Sequence, residues 1–190
     1  RARSRVPSPT NRRWECLLAQ NGFNGADNTT VERIVDVAPI AAPGGAGEAL
    51  TDYNEDFIPY AKAQLRNYLR PLPETGGNLT QPMVAYGEPV HKWLTQAFKL
   101  PKTPDTLDIV ELTVLEASAH EPAPKTWVLC ANHPSEYLYD TDLPLSDACK
   151  PNGDYPPPIH VMCQDLIAAG WQAHMSAHPA DDPHQVLADL

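Results

Sequence analysis

Apolar and polar positions change period several times along the chain, and each change marks an element. Trp14 to Ala19 (W-E-C-L-L-A) is a short apolar run that reads as a buried strand, entering the polar turn Gln20-Asn21-Gly22-Phe23-Asn24-Gly25. A further strand is expected at Arg33 to Val37, followed by the small-residue stretch 41–47. From Thr51 the period becomes helical: Ile58, Ala61, Leu65, Tyr68 and Leu69 share one face, Asp52 or Asn54 can cap, and Pro59 fits the first turn. Met83 to Tyr86 is an apolar strand closed by Gly87, and Pro89 opens a second helix with Val90, Trp93, Leu94, Ala97 and Phe98 on one side.

Leu107 to Leu115 reads as strand, as does Thr126 to Ala131, which runs directly into Asn132-His133-Pro134-Ser135. Ile159, Met162, Cys163, Leu166, Ile167 and Trp171 mark a third helix, and Asp182-Pro183 begins a short last one. Alternating strands and helices predict an α/β fold, a three-layer sandwich around a mostly parallel central sheet, with ligands beyond the strand C-termini. Asn21, Gly87 and His133 all fall at such ends.

Composition adds limits. At 190 residues, one domain is expected over 14–190, with an insertion loop at about 26–50 and a basic irregular arm over 1–13. The 21 prolines are about twice average usage and forecast many loops. Net charge is −10, although Arg1, Arg3, Arg5, Arg12 and Arg13 put five positive charges into the arm, so −15 falls on the rest. Such a field repels polyanions at long range and counts against a general nucleic-acid coating protein.

No run approaches the roughly 18 apolar residues of a membrane span, so no membrane partner and an intracellular location are expected. Cys16, Cys130, Cys149 and Cys163 form no C-x-x-C unit and are read as reduced thiols. Two N-x-T triplets, at Asn28 and Asn78, and the even cysteine count leave an exported Pro-rich binding domain as a rival, which four free thiols on denaturing titration would remove.

Three segments together carry a resemblance. W-E-C-L-L-A-Q-N-G-F resembles the strand and Asn turn of the uracil-DNA glycosylase superfamily, P-M-V-A-Y-G-E-P-V-H-K-W-L resembles its central strand–Gly–helix unit, and V-L-C-A-N-H-P-S-E-Y-L resembles its final strand and H-P-S loop. The likeness covers about residues 14–25 and 52–175. It implies a monomeric, cofactor-independent hydrolase that flips uracil or a related damaged base out of DNA and cleaves its N-glycosidic bond, as in base excision repair. His133 would be the catalytic donor to the departing base. Asn21 would read the base edge, with Gln20 and Asn24 as competitors and an αL turn role as its structural alternative. Ser135 would hold a flanking phosphate, Tyr137 or Leu138 would fill the vacated stack, and Gly87 would lie at the DNA-binding edge.

Two features depart from the family pattern. Glu136, with Asp140 and Asp142 nearby, puts carboxylates where phosphate would lie. The Gly-rich, water-positioning motif that precedes the Asn turn is not found. It was lost with a missing N-terminus, or Asp27 or Asp36 substitutes, or the protein is a catalytically silent interaction protein on the same scaffold. His174, His178, Asp181, Asp182 and His184 are spaced for a surface metal site but read better as a solvated tail, and His91 reads as lying beside the core. The metal expectation is therefore none, and no P-loop or G-x-G-x-x-G points to a nucleotide cofactor.

Overall fold

A computed structural model of the chain describes Trp14, Leu17 and Leu18 together with residues 54–117, 122–133 and 159–190. Its elements are α1 (Asn54–Tyr68), β1 (Met83–Tyr86), α2 (Glu88–Phe98), β2 (Ile109–Leu112), β3 (Thr126–Ala131), α3 (Ile159–Ala177) and α4 (Pro183–Asp189), with a short 3-10 turn at Pro73–Thr75. The protein is a mixed α/β structure in which the three described strands form one sheet in the order β1-β3-β2.

The sheet is mixed rather than mostly parallel. β1 runs parallel to β3 with Tyr86 opposite Ala131, whereas β2 runs antiparallel to β3 with Ile109 opposite Leu129. Among the described residues of the 113–125 link there is no helix, and the antiparallel ladder returns the chain directly along β3. Trp14, Leu17 and Leu18 are helical and buried, which corrects the strand expected there. Their spacing, one residue then three and four along, suits a helix face as well as a strand, and a short apolar run does not separate the two. The expected strand at Arg33 to Val37 and the 26–50 insertion lie outside the described residues.

Because side chains alternate along a strand, β3 feeds two separate cores. Val128 and Cys130 join Ala85 and Leu112 in a cluster with Ala61, Leu65 and Leu69 of the α1 segment and Trp93, Leu94 and Ala97 of α2. Leu129 and Ala131 belong to a second cluster with Trp14, Ala168, Ala169, Trp171 and Met175, closed by Val186 of α4. α1 and α2 thus bury the faces their periodicity predicts, apart from Tyr68, which is exposed. In α3 the buried row is Val161, Asp165, Ala168, Trp171 and Met175, while Cys163 and Leu166 are exposed. Apolar residues surround α3 almost completely, so spacing alone did not choose between faces, and the small Ala168 and Ala169 allow the closer approach to the sheet.

The last helix begins as expected at Asp182-Pro183. The Asp182 carboxylate accepts from the backbone N–H groups of His184 and Gln185 at 2.8 and 3.2 Å, satisfying two donors that the helix leaves open. Trp171 Nε1 donates to Pro183 O at 3.0 Å and anchors α4 on α3. Asp182→Ala is expected to lower unfolding free energy by about 1 kcal/mol, read from urea midpoints; an unchanged midpoint would show that Trp171 alone secures the helix.

Cys130 and Cys163 are free thiols. Cys130 is fully buried on β3, and burial first, with the Asp108 carboxylate second, pushes its thiol up to about 12. Thiolate is the reactive form. At pH 8, native protein treated with iodoacetamide should therefore be modified at Cys163 and not at Cys130, as peptide mass mapping would show. Since the unfolded thiol ionises at lower pH than the folded one, this group also erodes stability as pH rises above about 9.

Among the described residues, no helix is long and apolar enough to cross a membrane.

Candidate active site

Parallel pairing of β1 with β3 delivers two chain ends to the same edge of the sheet. The register that sets Tyr86 opposite Ala131 places Gly87 beside Asn132, and the Gly87 N–H donates to Ala131 O at 2.8 Å to close the ladder. Gly87 has φ 84° and ψ 154° and caps α2, whose first residues are Glu88 and Pro89. A side-chain carbon placed on Gly87 would lie 3.2 Å from His133 Cβ and 3.8 Å from His133 Cδ2. Gly87 and His133, predicted to share one sheet edge, approach so closely that an added side-chain carbon on Gly87 would crowd the imidazole.

Beside this close approach opens a cleft of about 460 Å³. Its wall includes Gly87, Glu88, His91 and Lys92 from the start of α2, Asp105 and Thr106 from the loop before β2, and Asn132. Half-buried His133 stands next to Gly87 and Asn132 without itself forming part of that wall. The loop before β2 is bent into place by Leu107, which takes a left-handed conformation (φ 71°) and donates its N–H to Cys130 O at 2.8 Å.

Asn132 is tied on both sides. Its Oδ1 accepts from Thr106 Oγ1 at 3.1 Å, and its Nδ2 donates to Gln164 Oε1 of α3, also at 3.1 Å. His91 is buried beside the core, as expected, with Nε2 3.1 Å from Ala85 O. A carbonyl only accepts, so Nε2 carries the proton. The charges at the cleft are Glu88, Lys92 and Asp105. Lys92 Nζ lies 2.6 Å from Glu88 Oε1 one turn away, and that hydrogen bond, with the ammonium charge, holds the Glu88 carboxyl below the usual carboxylate range.

Of the site residues expected from sequence, His133 and Gly87 are brought together. Asn21, Ser135, Tyr137 and Leu138 lie outside the described residues, as do Asp27, Asp36 and Glu136. His174 and His178 have ring centroids 5.0 Å apart, and His174 Nε2 meets Asp181 Oδ2 at 2.8 Å. Among the described residues, no group of three or more His, Cys, Asp or Glu is arranged to hold a metal ion. Sequence reasoning did not single out Asn132, Thr106 or Asp105. The run A-N-H-P marks Asn132 only by adjacency to His133, and the 102–108 loop has no periodicity to flag it.

No family model matches the sequence, and searches of curated proteins and of solved structures likewise find no match.

Proposed function

We propose that the protein is a uracil-DNA-glycosylase-like hydrolase that releases uracil or a related base from DNA, working without a cofactor as an intracellular monomer. The observation that carries this reading is the close approach of His133 to Gly87 where parallel β1 and β3 end, beside a cleft of about 460 Å³. That size is in the range of small-molecule sites, and strand C-termini are where α/β sheets bind ligands. A three-layer sandwich is the matching reading of the fold, supported by the two clusters that β3 feeds with alternate residues.

In the reaction the C1′–N bond breaks, its electron pair leaves with the base, water adds to C1′, and the proton that water loses ends on the released base. His133 donates a hydrogen bond to the carbonyl oxygen on which the negative charge collects. Asn21 reads the base edge, Ser135 takes a phosphate, and Tyr137 or Leu138 fills the gap in the stack.

The test is incubation with single- and double-stranded oligonucleotides containing one uracil, followed by alkaline cleavage of abasic sites. Strand breakage and free uracil are expected. No product with protein in excess over DNA overturns the reading and favours the second one, an interaction protein on the same scaffold. That alternative draws on the cleft's two carboxylates, Glu88 and Asp105, against one ammonium already engaged by Glu88.

A further inference from the structure

We propose that Asn132 is a positioning residue, holding His133 against Gly87 through a Thr106–Asn132–Gln164 hydrogen-bond chain. The inference rests on the reading of His133 as the group that faces the departing base.

The sheet ladder guides β3 as far as Ala131, whose carbonyl takes the Gly87 N–H. One residue farther, the side chain of Asn132 continues the cross-linking that the backbone has supplied up to that point. It spans two elements distant in sequence, Thr106 before β2 and Gln164 in α3, with 3.1 Å bonds to each. Both bonds are partly shielded from water, which strengthens them relative to surface contacts. The chain closes in either sense of its two amides, because a hydroxyl donates or accepts and each amide offers both roles. Asn132 is therefore held between loop and helix whichever way the amides face. His133, the next residue, inherits that fixed starting point, and the close approach to Gly87 limits the imidazole on its other side.

A merely structural bond would matter to stability alone. A positioning bond also sets the state of the His133 ring, which is observable without any catalysis. The 1H–13C signal of the His133 ring Cε1, identified among the seven histidines by its disappearance in His133→Gln, should be single and sharp in the wild-type protein. In Asn132→Ala it should shift or broaden, with the His174 signal unmoved, and kcat for base release should fall about 10- to 100-fold while KM stays within about twofold, the pattern expected of misplacement rather than lost binding.

Asn132→Asp should restore the ring signal, since Thr106 donates to one carboxylate oxygen and Gln164, with its amide turned over, donates to the other. Should Asn132→Ala fail to fold, Thr106→Val removes one bond at similar volume and should move the His133 signal in the same direction. A His133 signal unchanged in both Asn132→Ala and Thr106→Val overturns the positioning role. An inactive wild-type protein overturns the base-release reading instead and leaves the ring measurement to decide the Asn132 chain on its own.

Discussion

His133→Ala is expected to slow base release by about 10²- to 10³-fold, the loss associated with removing one preorganised donor from a developing anion, roughly 3 to 4 kcal/mol. The effect should fall on kcat and on kcat/KM about equally. The base carbonyl in the ground state is only a modest acceptor, and it demands the hydrogen bond when the C1′–N bond has largely broken. Stability should change little, because His133 is half-buried and the substitution removes atoms that pack on Gly87 rather than atoms at the centre of either core. His133→Gln retains an N–H donor and should keep more activity than alanine. Single-turnover kinetics on a uracil-containing oligonucleotide separates these outcomes from a binding defect. Base release by His133→Ala at the wild-type rate would leave the imidazole without a chemical role.

The parts legible in the sequence were those in which one periodicity excluded the others. α2 is such a case: Trp93, Leu94 and Ala97 recur at helical spacing immediately after a glycine and a proline, and all three are buried. The Met83–Tyr86 and Thr126–Ala131 runs are bounded by glycine or polar residues, and they form the parallel pair that sets Gly87 beside His133. Strand direction was not legible for β2, because residues 109–112 carry the same apolar signal whichever way they pair, and only the ladder with β3 in the folded sheet fixes it. Trp14, Leu17 and Leu18 show the same ambiguity between helix and strand, resolved by packing against Trp171 and Tyr86 in one cluster. The Thr106–Asn132–Gln164 chain was invisible for a further reason. Its members are polar, 26 and 32 residues apart, and only the folded sheet brings them together.

Charge sets a further condition on the proposed substrate. With −15 outside the first thirteen residues and a paired Glu88–Lys92 at the cleft, long-range steering of DNA falls to the five arginines of residues 1–13. Recognition of the base then has to come from short-range hydrogen bonding inside the cleft rather than from a cationic surface around it. This places unusual weight on the exact placement of the groups at the β1–β3 edge, and Gly87 is the residue with least room to change.

Gly87→Ala should therefore damage both stability and rate. Its φ of 84° with ψ of 154° lies in a region that is essentially reserved for glycine, and residues held there cost about 1 to 3 kcal/mol. Gly76 provides the control: it too has positive φ (65°), but ψ is 22°, an ordinary left-handed turn, and the nearest atom to an added carbon is Asn78 Nδ2 at 3.6 Å. Gly76→Ala should cost about 1 kcal/mol through backbone preference alone and leave base release unchanged. At Gly87 the added methyl meets His133 Cβ at 3.2 Å, a backbone-proximal atom that cannot swing away as a side-chain terminus would. Relief requires the start of α2 or the His133 loop to shift, and the Gly87 N–H bond to Ala131 O resists the first of these. Displacement of His133 is then the expected response, with base release lower by about 10- to 100-fold in Gly87→Ala and a urea midpoint lower by roughly 1 M. Normal activity in a destabilised Gly87→Ala would mean that the loop absorbs the methyl without moving the imidazole, so the close approach of Gly87 to His133 would be packing and nothing more.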